Sequence, residues 1–512
     1  MSIAILHSRA QVGTIAPPVS IEVFLSGGLP FFHLVGMPAT AVRESKDRVR
    51  GALLSSGFEF PQQRITVSLA PADMPKTGGR FDLAIAIGIL LASRQVTGNS
   101  IGGIEFYGEL GMNGDLRRVP GVLPAALKAA NGGKAVIVPA DNGPEAALVS
   151  DAVYPAQSLL EVTAHLSGNS RLEPLPRNVP AAATISVADL AEVHGQANAK
   201  RALEVAAAGG HNLLFTGPPG TGKSMLAARL PGILPPMSEE EAIETAAIES
   251  VLGIAPVPER WRVRPFRAPH HTASAAAMIG GGTGPRPGEA SRAHNGVLFL
   301  DEFPEFSRHV LEVLREPLEV GRITISRANR QDDFPAAFQL VAAMNPCPCG
   351  YLGDAAGDCG CSADRVASYR GRISGPLLDR IDLRVEVGRP PRDLLRRGDA
   401  GAESSAVVQR RVGEARRRQL RRDGCCNARL DATALKRSCN LAEDGWRLLD
   451  AAAERFGLSV RAYQRVLRVA RTIADLAGAK TIATAHLAEA LALRGVERQG
   501  GRAWQAGRQA SA

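Results

Sequence analysis

The stretch Gly217-Pro218-Pro219-Gly220-Thr221-Gly222-Lys223-Ser224 constrains this chain more than any other. An apolar run, Leu213-Leu214-Phe215, precedes it and reads as a buried strand. Met225 to Leu230 follows and reads as the start of a helix. Strand, glycine-rich loop and helix, in that order, form the context of a phosphate-binding loop. The glycines let backbone N–H groups approach a triphosphate, and the helix N-terminus adds partial positive charge. Gly217, Pro218, Pro219, Gly220, Thr221 and Gly222 are therefore expected to cradle ATP. Lys223 is expected to reach the β- and γ-phosphates, and the Ser224 hydroxyl to hold Mg2+.

Three later segments fit the same machinery. Val297-Leu298-Phe299-Leu300-Asp301-Glu302 is an apolar strand ending in two acids. Strand ends of this kind meet ligands at the C-terminal edge of an open α/β sheet. Asp301 is placed to support Mg2+ through water, and Glu302 to polarise the attacking water. Phe338 to Met344 is a second apolar strand, closed by Asn345, whose amide can orient that water. Gly375-Pro376-Leu377-Leu378-Asp379-Arg380-Ile381-Asp382 comes next. Arg380 reads as an arginine finger offered to a neighbouring subunit, or else as a surface arginine paired with Asp379 or Asp382. A finger implies an oligomer.

A chain of 512 residues holds about three domains at the usual size. Residues 1–168 mix strand-like runs (Ile65–Leu69, Ala135–Val138) with helical ones (Val42–Ser55, Phe81–Ala92, Val122–Ala130). Residues 169–184, with Pro174, Pro176 and Pro180, read as a linker. Residues 185–395 carry the phosphate loop. Residues 396–498 are helical by pattern, and 499–512 are a Gly/Gln/Arg-rich tail expected to be disordered. The formal charge of +9 favours an anionic partner, nucleic acid ahead of membrane. Residues 1–15 lack a signal-peptide pattern, and the longest apolar runs, such as Leu83–Ala92, are too short to span a bilayer. Seven cysteines in so long a chain do not suggest a disulfide-stapled secreted protein, so a cytoplasmic location is expected.

The motif order is that of an AAA+ ATPase. Three strings carry a closer likeness: Arg264-Pro265-Phe266-Arg267-Ala268-Pro269-His270-His271, Pro287-Gly288-Glu289-Ala290-Ser291-Arg292-Ala293-His294-Asn295-Gly296, and Asn345-Pro346-Cys347-Pro348-Cys349-Gly350. On them the chain resembles the magnesium-chelatase-like YifB/ComM family, from Ser2 to about Gly495. The resemblance implies an AAA+ P-loop core with a C-terminal helical lid, a ring (a hexamer), and a branch-migration helicase acting in recombination of DNA taken up by transformation. It also implies single-stranded or branched DNA and recombination proteins as partners. Within Leu458–Tyr463, Arg461 matches the sensor-2 arginine, which contacts ATP from the lid. A basic lid face of Arg461, Arg465, Arg468 and Arg471 reads equally as a solvated surface.

The first block resembles the proteolytic domain of Lon, of ribosomal S5 domain 2-like α+β fold, and the C-terminal domain of RadA. The matching strings are Lys76–Leu83, Gly108–Gly111 and Gly121–Ala130. Where the Lon pattern has its serine this chain has Arg80, and where it has its lysine this chain has Ala125, with Lys128 a turn later. A Ser–Lys protease needs a hydroxyl beside an amine of depressed pKa, so a non-proteolytic assembly or DNA-contact module is expected.

Alternation in Arg322-Ile323-Thr324-Ile325-Ser326-Arg327 reads as a hairpin arm. In helicase-like relatives a hairpin here enters the pore, which would set Arg322, Arg327 and Arg330 against DNA phosphates. Ala275–Gly284 is expected to form a mobile pore loop, and both segments read alternatively as surface loops that contact neighbours. The seven arginines in Gln409–Arg422 read as a nucleic-acid contact or a solvated face. Cys347, Cys349, Cys359 and Cys361 could complete a tetrahedral zinc site, or remain free thiols. Two other classes compete with a DNA motor. A magnesium-chelatase subunit would be expected to show a metal-delivery domain, and no integrin-like Asp-x-Ser-x-Ser run is present. A protein-remodelling ATPase would grip peptide with a pore aromatic, and the hairpin arm carries Arg and Ile instead.

Overall fold

Period-two alternation builds the first sheet. The computed structural model describes residues 2–98, 101–181, 188–282, 285–327, 330–354, 357–389 and 401–495, without the side chains of Pro258, Arg327 and Arg330. The strands are β1 (Ser2–Arg9), β2 (Pro18–Ser26), β3 (Phe31–Val35), β4 (Arg64–Ala70), β5 (Ile104–Phe106), β6 (Glu109–Leu110), β7 (Leu116–Arg117), β8 (Ala135–Pro139) and β9 (Val153–Ala156). Seven of them form one sheet in the order β3-β4-β2-β1-β5-β8-β9, while β6 and β7 pair separately. Val19, Ile21, Val23 and Leu25 of β2 point inward beside Ile65, Val67 and Leu69 of β4. The helix Asp82–Ala92 is apolar nearly all round and buried, so it fills that face.

Arg80, where a protease would have its serine, is buried and donates to the carbonyls of Arg9 and Pro120; burial pulls its pKa down to about 10. Ala125 is buried and Lys128 exposed. Residues 169–181 run along the edge strand β9, where Leu175 N donates to Val153 O at 2.8 Å. Residues 182–184 of the expected linker, 396–400 and the tail from 499 lie outside the described residues.

The second sheet is built from β10 (Leu213–Thr216), β11 (Phe266–Arg267), β14 (Val297–Leu300), β17 (Gln339–Met344) and β18 (Leu383–Glu386), in the order β11-β14-β17-β10-β18. All its pairings are parallel. Parallel strands are covered on both faces and read as continuous apolar runs, as β14 does and β17 does after Gln339, whose buried amide donates to the carbonyls of Ala206 and His211. Two ladders flank the sheet: β12 (Gly280–Gly281) with β13 (Arg286–Pro287), and β15 (Arg322–Arg327) with β16 (Arg330–Pro335). This is the α/β AAA+ fold expected from the sequence.

The N-terminal domain docks on this core. Val122 and Ala126 pack with Met237, Ala246 and Trp261, and Gly121 N donates to Ser250 O at 2.8 Å.

The C-terminal helices Ser405–Asp423, Glu443–Phe456, Val460–Leu476 and Thr484–Leu493 share one apolar cluster with the core sheet, which takes in Val412, Val466 and Ile473 of the lid together with Leu213 and Phe215. The arginine run is largely consumed here. Arg416 donates to the carbonyls of Ala207 and Ala208, Arg411 pairs with Glu204 and Glu403, and Arg422 pairs with Asp423 and Asp475. Arg418 donates to Asp475 O at 2.6 Å and is exposed, as are Arg410, Arg417 and Arg421. Among the described residues no helix is long and apolar enough to cross a membrane.

Asp382 ties the lid to the core. Its carboxylate accepts from Asn212 N at 2.9 Å and pairs with Arg465 of the lid. Burial opposes its charge, yet Arg465 and His211 hold its carboxyl well below the usual range. That stabilisation is complete above the unfolded carboxylate pKa of about 3.9 and fades as pH falls below it. Asp382→Asn should leave the Arg465 charge buried without a counterion and cost about 3 kcal/mol, read as a lower midpoint in denaturant melts at neutral pH.

Candidate ATPase site

Three strand ends converge at one edge of the core sheet. Thr216 of β10 is paired with Met344 of β17, and Leu300 of β14 with Ala342. The residues that follow, the loop Gly217–Ser224, the pair Asp301–Glu302 and Asn345, therefore emerge side by side. The loop lies tight on the sheet: a side chain at Gly217 would overlap the Val387 carbonyl oxygen. Gly220 and Gly222 adopt φ +75° and +88°, which glycine reaches without strain. The helix opened by the loop is short, Lys223–Ala227, and a further turn, Leu230–Ile233, carries Pro231.

Lys223 Nζ donates to the carbonyls of Gly217 and Pro218, both at 2.8 Å, and to Asn345 Oδ1 at 3.2 Å. Burial pulls its pKa below the usual lysine value, and the Asp301 carboxylate opposes the shift. Ser224 Oγ donates to Asp301 Oδ2 at 2.5 Å. A hydroxyl and a carboxylate converging in this way are the hard oxygen donors that suit Mg2+. Asp301 Oδ1 accepts from Glu302 N at 2.9 Å. Glu302 itself stands at φ +51°, a left-handed conformation that costs a non-glycine residue about 1–3 kcal/mol. Its carboxylate is turned to His271 Nδ1, 3.0 Å away. The structure thus brings Lys223, Ser224, Asp301, Glu302 and Asn345 together.

Arg380 and Arg461 are elsewhere. Asn212, just before β10, donates through Nδ2 to Arg380 O at 2.9 Å, so Arg380 sits at the opposite end of a strand about 13 Å long. Arg461 stands beside it. Both pair with Glu319, directly for Arg380 and at 3.9 Å for Arg461, and Arg380 holds the Glu319 carboxyl below the usual range. Arg461 therefore does not reach the loop of its own subunit, because the lid packs behind the sheet rather than over the loop. Arg380 pairs with neither Asp379 nor Asp382. The cleft there is lined by Arg380, Arg429, Arg461, Arg465 and Arg468, and Arg380 Nε, Arg465 Nε and Arg468 Nε are buried without a hydrogen-bond partner.

The arm expected from alternation is a hairpin. Ile323 and Ile325 of β15 and Phe334 of β16 are buried against Met278, and Arg322 is exposed. Ala328 and Asn329, and the side chains of Arg327 and Arg330, lie outside the described residues. The second insertion is more regular than expected: Ser274 caps the helix Ala275–Ile279, which leads into β12. The sulfur atoms of Cys347, Cys349, Cys359 and Cys361 all lie within 4.8 Å of one another.

Sequence reasoning assigned no role to His271 or Glu319. His271 lies inside a quoted string, but nothing in its spacing points to Glu302. Glu319 carries no signal at all, because its partners lie on other elements.

Comparisons with known proteins agree along the whole chain. Family models described as "Subunit ChlI of Mg-chelatase", "Magnesium chelatase, subunit ChlI" and "Magnesium chelatase, subunit ChlI C-terminal" match residues 21–142, 189–394 and 402–494. The chain is 49% identical over 501 residues to the uncharacterized protein YifB of Salmonella typhimurium, covering 97% of this chain and 98% of that one. It is 51% identical over 505 residues to the competence protein ComM of Haemophilus influenzae, with the same coverage. A match at 27% identity over 208 residues, 39% of this chain and 54% of the other, joins it to the magnesium-chelatase 38 kDa subunit of Cereibacter sphaeroides. Identity near one half over almost every residue leaves one assignment: the chain belongs to the YifB/ComM family of magnesium-chelatase-like AAA+ ATPases.

Proposed function

We propose that this ATPase is a cytoplasmic ring, a hexamer, that drives DNA and migrates branches during recombination of incoming DNA. One observation carries the assembly. Each protomer has a phosphate loop at one end of its sheet and, at the other, an arginine-rich cleft in which Glu319 pairs with Arg380 and Arg461. A heterologous, head-to-tail interface joins such ends, and it gives a ring when the rotation between neighbours closes. ATP would then lie between the loop of one subunit and Arg380 and Arg461 of the next.

In this arrangement phosphate oxygens replace the Gly217 and Pro218 carbonyls as partners of Lys223. Ser224 and Asp301 would hold Mg2+, which neutralises charge on the β- and γ-phosphates. Glu302 takes the proton of the attacking water, and Asn345 orients that water. Arg380 stabilises charge developing on the γ-phosphate after release from Glu319, whose carboxylate occupies the anion's place in the free protomer.

DNA as the polymer is supported by the net charge of +9, by the exposed Arg322 on the hairpin with Arg327 and Arg330 at its tip, and by the competence role in the name of the Haemophilus relative. Recombination proteins are the expected partners. ATP hydrolysis by the purified protein should rise severalfold with single-stranded or four-way-junction DNA, and ATP should drive strand exchange on the junction. Stimulation by unfolded protein with none by any DNA would reverse the assignment in favour of a protein-remodelling ATPase.

A further inference from the structure

We infer that Cys347, Cys349, Cys359 and Cys361 hold one zinc ion, and that this ion braces the phosphate loop and Asn345.

The geometry selects a single ion. Cys347 Sγ lies 3.3 Å from Cys349 Sγ and 3.7 Å from Cys359 Sγ, and Cys349 Sγ lies 3.6 Å from Cys359 Sγ. Four sulfurs placed tetrahedrally at about 2.3 Å from zinc stand about 3.8 Å apart. A disulfide would bring a pair to about 2.0 Å, and all seven cysteines are free. Soft thiolates in tetrahedral array favour zinc over magnesium or calcium.

The segment needs the ion. Between 347 and 361 the turn carries Gly350, Gly353, Gly357 and Gly360, and Cys347 is the one buried hydrophobic side chain among its described residues. Ordering so glycine-rich a turn costs backbone entropy that the one buried apolar side chain among its described residues offsets only in small part. Metal–thiolate bonds supply the difference, as they do in small metal-held domains.

The brace reaches the ATPase site through short links. Only Asn345 and Pro346 separate the end of β17 from the first ligand. Gly350 N donates to Cys347 O at 3.0 Å, which folds the chain back at φ +88°. The backbone of Gly350 then rests on the phosphate loop: a Cβ there would lie 2.7 Å from Pro219 Cδ and 3.8 Å from Asn345 Cγ. The second cysteine pair leads into the helix Ala363–Gly371, whose Arg370 donates to Pro346 O at 3.1 Å. Asp354, between the pairs, binds Arg389 beyond β18 at 3.0 Å. The ion therefore ties β17, this helix and the chain after β18 into one wall beside Pro219 and Asn345.

The test uses the full-length protein. Elemental analysis should find close to one zinc per chain. A Cys349→Ser/Cys361→Ser double variant should lose it, and Cys425→Ser, outside the quartet, should keep it. In the metal-free variant, amide hydrogen exchange over 213–224 and 339–350 should accelerate. Affinity for a fluorescent ATP analogue should fall about tenfold, or 1.4 kcal/mol. If the double variant does not purify folded, stripping zinc from the unaltered protein with a mercurial and a chelator, then restoring it, gives the same readings reversibly. Protein grown with zinc yet purified with far less than one ion per chain overturns the site. Metal-free protein with unaltered exchange in the phosphate loop overturns the brace. Only the affinity reading rests on the ATPase assignment. Unaltered protein that bound no ATP would sink that assignment, while exchange would still decide this one.

Discussion

Arg380→Ala should lower kcat for ATP hydrolysis by about 10³–10⁵-fold, as removal of an arginine finger does. Binding of ATP to the loop of the same subunit should be little changed, because the loop lies at the other end of β10. An arginine acting in its own subunit and one acting on a neighbour differ in a mixing experiment. A subunit with Arg380→Ala keeps Lys223, Asp301 and Glu302; a subunit with Glu302→Gln keeps Arg380. Each homogeneous ring should be dead. In rings reassembled from equal amounts, about one interface in four sets an intact loop against an intact finger, so activity should return to about a quarter of normal. No recovery, with mixed rings shown to form, would remove Arg380 from its role across the interface. Arg461→Ala should follow the same complementation pattern, because it shares Glu319 with Arg380.

The sheet edge where Lys223, Asp301 and Asn345 meet was legible because its strands are covered on both faces. Val297–Leu300 and Leu340–Met344 read as unbroken apolar runs, and the first polar residue after each had to emerge at the ligand edge. The cysteine pairs were visible by spacing, although only the fold shows their sulfurs converging. The arginines were harder to read. Arg416 sits in a charge run yet spends its guanidinium on two backbone carbonyls of the helix Ala197–Gly209. Sequence periodicity reports a face and says nothing about carbonyls brought from a distant element. Arg461 was singled out only through the family resemblance, since spacing alone reads its helix equally as a solvated basic face, and the cleft it shares with Arg380 depends on the lid packing behind the sheet, a long-range choice made by apolar side chains such as Val466 and Ile473. The pairs His271–Glu302 and Arg380–Glu319 join residues from separate elements, so no local pattern could have shown them.

Glu302→Gln should leave folding and ATP binding intact and cut kcat by about 10²–10⁴-fold, the range for loss of a positioned general base. The substitution is mild structurally. The Glu302 side chain is 56% exposed, so no buried charge is lost, and glutamine keeps an oxygen to accept from His271. What it removes is basicity. The amide cannot take a proton from water, and every other contact at the loop, from Lys223 to Asn345 and from Ser224 to Asp301, stays as it was. The left-handed backbone at Glu302 argues for a dedicated role, since that conformation separates two adjacent carboxylates: Asp301 toward Ser224, Glu302 toward His271. The variant should therefore hold ATP without cleaving it, read as slow turnover with unaltered nucleotide affinity. A near-normal rate would take the proton-accepting role from Glu302 and leave its strained backbone without a catalytic explanation.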